Sequence, residues 1–379
     1  MNRREVAMDA SPRINTDFHR PVYLLVGLPF DAIDMEKAMD KVVIAGQSGT
    51  RCFLSTPNLN WLIACQRDEE FLNSVLQSDL SLPDGMPLIW LSRLFGLPLC
   101  QRVPGSDLFQ RLRQRPISVY FFGGPPGLAG QACQAINQSG DSMKCQGHLS
   151  PGFGSVEEMS NPKNLAAINA SGADFLVLAL GARKGQAWII RNLVHLQTPV
   201  VSHLGAVVNF VAGSVARAPR LVGKLGLEWL WRIKEEPGLW RRYWQDGLGF
   251  LHYLFWHGLP ATFLSHKTFP ITASLEFIGD QDRELNLRLS GPWMENNLQP
   301  LRNALTDLNS RPRSVTLDIS HVSHLDSAVL GVLALLRGHQ LKSNQSLAIG
   351  GASPALRKKM GHFCATYLLD PLTPEAKDS

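Results

Sequence analysis

From Val22 onward, short apolar runs alternate with longer stretches of helical periodicity, and this alternation narrows the fold more than any other feature. VYLLVGL, CFLSTPN, SVYFFGG, FLVLALG (175–181) and PVVSHLGA (199–206) predict five strands. A helix is predicted over Asp34 to Ala45, and WLIACQRDEEFLNSVLQS carries helical periodicity. Strands that alternate with helices build a mostly parallel sheet, because a parallel connection must cross back over the sheet as a helix. Ligands of such sheets sit beyond the carboxyl ends of the strands. That singles out Thr56 and Asn58, Gly123 and Gly124, Gly181 to Gln186, and Gly205.

A second pattern begins after His266 and Pro270. SLEFIGDQDRELNLRLSG predicts a hairpin, followed by a helix over Asn297 to Asn309, the strand SVTLDIS, the helix AVLGVLALLRGHQLKSN and the strand LAIGG. The expectation is a second, smaller α/β domain. SHKTFP, short, polar and closed by a proline, predicts the boundary. A chain cut near His266 is expected to leave the first domain folded.

Composition excludes a disordered chain: 45% of the residues are apolar and 18% charged. The net charge of +5 permits an anionic partner without naming one, and nucleic acid is a poor candidate because the basic excess is local. Among the six Cys, none forms a C-x-x-C pair and no His stands at metal spacing from them, so a reduced interior is expected, with neither a disulfide framework nor a zinc site. The first 20 residues lack an apolar signal region and read as a loose leader. LGFLHYLFWHGLPATFL, from Leu248, is interrupted by two His and a Pro, short of the roughly 18 apolar residues of a spanning helix.

Several features could carry chemistry. LSLPDGMPLIW sets one carboxylate, Asp84, among apolar residues. Pro-Asp-Gly is a turn signal, but a turn flanked by Leu80, Leu82, Met86, Leu88, Ile89 and Trp90 lies against a core. GGPPGLAG (123–130) ends a strand and opens a helix, which suits either a tight turn or a phosphate. It lacks the G-x-G-x-x-G spacing of a nicotinamide site. Arg217, Arg220, Lys224, Arg232, Lys234, Arg241 and Arg242 are interleaved with Trp229, Trp231, Trp240 and Trp244. They read either as a solvated helical face or as a site for anions at a membrane surface. DQD (280–282) falls in the predicted hairpin turn and is read as a turn, not a metal site.

In order along the chain, STPNLNWL, SDLSLPDG, RVPGSDL, FFGGPPG, GARKGQAWI, HLGAVVNFVAG and RAPRLVGKLGLEWLWRIKEEP resemble the WecG/TagA/CpsF family of bacterial glycosyltransferases. The resemblance covers about residues 22 to 250. It implies a Rossmann-like α/β domain over 21–262, with 217–262 as a basic, aromatic membrane-docking segment. It also implies an inverting, metal-independent enzyme without cofactors that moves a hexose or N-acetylhexosamine from a UDP-sugar to a polyprenyl-diphosphate-linked saccharide. Such an enzyme serves exopolysaccharide, capsule or envelope polymer synthesis and works in the cytoplasm, peripheral on the inner face of the membrane. The family's proposed base corresponds to Asp84. A carboxylate in a partly apolar pocket is expected to have its pKa raised toward neutrality, which suits a base that accepts a hydroxyl proton. Thr56 and Asn58 match the polar pair beside it. Gly123, Gly124, Lys184, Gln186, Arg217, Glu228, Arg232, Arg241 and Arg242 are the further substrate-binding candidates, with the arginines expected on the leaving diphosphate.

Where the family pattern is P-K-Q-E, this chain has Arg183, Lys184, Gly185 and Gln186, so that Gln186 stands at the position of the expected Glu. The expected glutamine is Gly185, and Gln186 is expected to replace it from one residue away. The usual Asp before the A-G pair is Asn209. Residues 268–372 resemble a STAS domain through VTLDISHVSHLDSAVLGVLALL, which places Ser327 at a position phosphorylated in regulatory relatives. The plainer reading of Ser327 is a helix cap. A second function therefore stands beside the enzyme: a regulatory or scaffold protein whose STAS domain engages a protein partner. Gly185 favours that reading; Asp84, Thr56, Asn58 and the RAP…EWLWR segment favour the enzyme.

Overall fold

VYLLVGL does not enter the main sheet. It turns back at Val26 and Gly27, both at positive φ (51° and 82°), and pairs β1 (Val22–Leu25) antiparallel with β2 (Leu28–Asp31). A two-residue loop with positive φ at both positions matches the twist of a hairpin. In this computed structural model, residues 15–214, 228–235, 238, 240–258, 273–279 and 281–374 are described.

The chain continues through α1 (Met35–Ser48), β3 (Cys52–Ser55), α2 (Leu59–Cys65), α3 (Glu69–Leu76), β4 (Leu80–Ser81), α4 (Met86–Leu94) and α5 (Gly105–Leu112). The helical stretch 61–78 is thus two helices, because Asp68 accepts a hydrogen bond from the Phe71 amide and caps the second. There follow β5 (Ser118–Gly123), α6 (Leu128–Gln138), β6 (Lys144–Leu149), α7 (Val156–Met159), α8 (Pro162–Ala170), β7 (Phe175–Ala179), α9 (Ala182–Asn192), β8 (Val200–His203) and α10 (Gly205–Val211). Two more helices, α11 (Glu228–Glu235) and α12 (Trp240–Tyr253), close this part.

Six strands form one parallel sheet in the order β4-β3-β8-β7-β5-β6. Alternate residues build the two cores: Leu54, Phe121 and Val177 face one helical layer, and Phe53, Phe122 and Leu178 face the other. Strands β4 and β6 were not expected. One has only two residues, and the other, KCQGHL, is a polar edge strand. Cys133 on α6 and Cys145 on β6 are joined as a disulfide with Cα atoms 5.3 Å apart. This corrects the expectation of wholly reduced cysteines: a helix packed on its own edge strand brings together two residues that no spacing rule pairs.

The second domain consists of β9 (Ser274–Phe277), β10 (Glu284–Trp293), α13 (Gln299–Thr306), β11 (Ser314–Leu325), α14 (Ser327–Ser343), β12 (Leu347–Gly350) and α15 (Pro354–His362). Its sheet runs β12-β11-β10-β9, with the predicted hairpin as its antiparallel edge.

The two domains share a core. Helix α14 is buried around its circumference from Ser327 to Gln340, because one face meets its own sheet and the other meets the β1–β2 hairpin and α3. Polar contacts lock the junction. The Tyr367 hydroxyl donates to Gly27 O (2.8 Å), His339 Nδ1 lies 3.0 Å from Thr16 Oγ1, and Lys342 pairs with Asp79. The expected boundary in sequence is therefore not a boundary in packing. Ser327 is also not at a surface: it is 4% exposed, and its hydroxyl donates to Leu24 O across the junction (2.8 Å). The helix cap is its neighbour Asp326, which accepts from Val329 N (2.9 Å).

Candidate active site

The carboxyl ends of β3, β5, β7 and β8 open into a cavity of about 650 Å³. Thr56, at the end of β3, and Asn58, which caps α2 by accepting from Trp61 N (3.3 Å), line one wall. Asp84 follows β4 and joins them because its amide donates to Pro57 O (3.0 Å). Gly85, at φ 133°, then lets the chain turn from β4 into α4. Gly105 opens α5 beside this wall. A Cβ there would lie 3.0 Å from Thr56 Oγ1 and 2.4 Å from Leu204 Cδ2, so glycine allows this approach without displacing either side chain.

The opposite wall is the Gly124 turn and the first turn of α9. Gly123 lies behind it at φ 99°, where a Cβ would stand 2.9 Å from Ala179 O, and Gly124 N donates to that same carbonyl (2.8 Å). Neither α6 nor α9 has a side-chain cap; each begins after a glycine, Gly127 or Gly181. Leu128 N, the first amide of α6, donates to Pro125 O (3.2 Å), whereas the first amides of α9 are left for another acceptor. Lys184 lines the cavity, its ammonium bonded to Gly154 O.

Gln186 is not brought to the cavity. It is 0% exposed and its Nε2 donates to Ser55 Oγ (3.0 Å) beneath the sheet. One residue along a helix rotates the side chain by about 100°, so a shift from 185 to 186 changes the face. Arg217 lies outside the described residues. Glu228, Arg232 and Arg242 belong to described helices, but their side chains are outside the described residues. Arg241 is on α12, its guanidinium 5.7 Å from the Trp240 ring, and lines neither cavity.

A second cavity of about 620 Å³ adjoins the first, and Asn58, Asn60, Asp84 and Ser106 line both. Its outer wall is apolar: Met86, Pro87 and Trp90 from α4, and Trp240, Trp244 and Leu251 from α12. Helix α12 is held over it by Asn60 Nδ2, which donates to Asp246 Oδ1 (2.9 Å), and by the buried Tyr253, which donates to His362 O (3.3 Å). Trp240, Trp244, Leu248, Leu251 and Phe255 also stand exposed along this segment at spacings of three and four. Trp90, Arg102 and His203 line the cavities and were not singled out in the sequence as site residues. The sequence did hold a signal for each: Arg102 begins RVPGSDL, His203 begins HLGAVVNFVAG at the end of a strand, and Trp90 ends LSLPDGMPLIW. No group of three or more metal-ligating side chains occurs among the described residues.

The strand ends of this parallel α/β sheet place Asp84 between a polar and an apolar cavity, where such sheets bind their ligands. The chain belongs to the WecG/TagA/CpsF glycosyl transferase family, which it matches over residues 23–262, more than half its length. Residues 277–363 match a STAS domain of the Mlab type. The chain is 28% identical over 195 residues to the N-acetylglucosaminyldiphosphoundecaprenol N-acetyl-beta-D-mannosaminyltransferase of Bacillus spizizenii (strain ATCC 23059 / NRRL B-14472 / W23), covering 50% of this chain and 74% of that protein. The same holds for the enzyme of that name in Bacillus subtilis (strain 168), at 28% over 195 residues and 73% of its length.

Proposed function

We propose that this glycosyltransferase moves a hexose or N-acetylhexosamine from a UDP-sugar to a saccharide carried on a polyprenyl diphosphate, with inversion at the anomeric carbon. The observation that carries this reading is the place of Asp84, on the shared wall of a polar and an apolar cavity. The donor diphosphate lies in the polar cavity against the open amide end of α9. The acceptor enters from the apolar side, its lipid along the aromatic wall of α4 and α12. Asp84 accepts the proton of the acceptor hydroxyl as that oxygen attacks the anomeric carbon, and the nucleoside diphosphate leaves with the bonding electrons. The relatives' names supply the acceptor class, a sugar on diphosphoundecaprenol.

The exposed aromatic stripe of α12, with Arg241 beside it, suits the lipid–water boundary. No described helix is long and apolar enough to cross a membrane. Peripheral attachment at the inner face of the cytoplasmic membrane, where such an acceptor is reached, is part of the same proposal. The test is to incubate the full chain with a panel of UDP-sugars and a diphosphoundecaprenol-linked N-acetylglucosamine. A hexose or N-acetylhexosamine mass added to the lipid supports the reading; no addition with any donor, by a protein that is folded, refutes it.

A further inference from the structure

Gly185 is one of the positions at which the chain departs from the pattern of its family resemblance, and the His203 ring fills the space where a side chain at 185 would stand. A Cβ on residue 185 would lie 2.4 Å from His203 Cδ2, 2.8 Å from its Cγ and 3.1 Å from its Cβ. No side chain larger than hydrogen fits at 185 while the His203 ring is in place. The ring is held from three directions. Its backbone is in register with Leu178 at the end of β8, Trp61 stands 6.2 Å away between ring centroids, and Gly205 leaves room on the third side, where a Cβ would come within 3.2 Å of Nε2. Both Gly185 and Gly205 thus make room for one imidazole.

That imidazole lies at the working end of the molecule. His203 lines the polar cavity together with Arg183, Lys184 and Gly205. Its Nε2 is buried and has no hydrogen-bond partner among the described residues. A buried ring nitrogen without a partner is costly unless something else satisfies it. Burial also pushes the imidazole down to about 4, so it stays neutral near pH 7 and keeps one N–H to donate. The first turn of α9, with its uncapped amides, stands beside it.

We propose that His203 is a donor-binding residue, giving a hydrogen bond to the diphosphate of the nucleotide-sugar in place of the side chain that position 185 lacks. The inference rests on the donor reading above and adds a specific residue to it. Gln186, turned beneath the sheet, takes no part. The exchange is steric and reciprocal: a long polar side chain at 185 and an imidazole at 203 are alternative ways to fill one space.

The test is isothermal titration of the full chain with UDP. His203→Phe keeps a ring in the space and removes both nitrogens; it should weaken UDP binding about ten- to a hundredfold, the worth of one hydrogen bond to a charged group. Gly185→Gln alone should weaken binding at least as much, because it displaces the ring. Gly185→Gln combined with His203→Gly should restore binding to within about threefold of the wild type, since each change makes room for the other. Wild-type affinity in His203→Phe, or a double variant no better than Gly185→Gln alone, overturns the assignment. A wild type that binds no UDP defeats the donor reading and this inference with it. Wild-type binding with failed exchange defeats only the inference.

Discussion

Replacing Gly338 by alanine separates two arguments that predict opposite signs. Gly338 lies inside α14, and by helix propensity alone alanine stabilises such a position by about 1 kcal/mol. The packing predicts the reverse. A Cβ at 338 would stand 2.0 Å from Leu76 O and 2.7 Å from Leu76 C, both backbone atoms at the end of α3. A carbon and a carbonyl oxygen in contact sit about 3.3 Å apart, so α14 and α3 must part by more than about 1 Å. Neither can yield by a rotamer change. Overpacking of this kind costs about 1–3 kcal/mol. The same displacement loosens Arg337 from Glu69 (3.7 Å) and Lys342 from Asp79. We expect a net loss of up to about 2 kcal/mol once the propensity gain is subtracted. The effect should also reach turnover, because Asp79 Oδ2 accepts from Phe53 N (2.8 Å) and the chain passes from there through β4 to Asp84. Thermal melting of the full chain, with transfer measured at a temperature where both proteins are folded, reads both effects. A melting temperature for Gly338→Ala above that of the wild type refutes the close approach and, with it, the tight seating of the STAS domain.

Further expectations follow from the same contacts. Asp84→Asn should lower transfer by roughly 10²–10⁴ with the melting temperature unchanged, the usual scale for losing a general base; full turnover removes Asp84 from that role. A chain ending before residue 268 should be insoluble or molten, since Val22, Leu24 and Phe30 lose the helix that covers them; a soluble, cooperatively melting fragment contradicts the shared core. Ser327→Asp should lower the melting temperature of the full chain, because it buries a charge against Leu24 O; unchanged melting would mean that Ser327 is reachable. Stability should fall as the pH drops from 7 toward 4. Burial holds His203 and His339 down to about 4, so the unfolded chain takes up protons near pH 6.5 that the native chain does not. Melting temperatures that do not change between pH 7 and 5 count against this. Trp244→Glu with Phe255→Glu should release the protein from anionic liposomes without altering its melting temperature, both side chains being exposed.

What the residues declared along the chain was local. The apolar runs at 52–55, 118–123, 175–179 and 200–203 are strands, and the polar residues after them, Thr56, Asn58, Gly124 and Lys184, do meet in one cavity with Asp84. These were legible because strand periodicity and the position of loops after strands are short-range properties of a parallel sheet. Tertiary structure alone decided the rest. Nothing near VYLLVGL says that it leaves the main sheet to pack under a helix some 300 residues later in the chain. Nothing near Ser327 says that its hydroxyl is spent on Leu24, and nothing near Cys133 says that Cys145 lies beside it. Gly185 looked like a lost side chain; only the fold sets this helix residue against His203 at the end of β8. Sequence periodicity reports which way a side chain points relative to its own element. What it meets there depends on the packing of elements distant in the chain, and that is settled by excluded volume in the folded core.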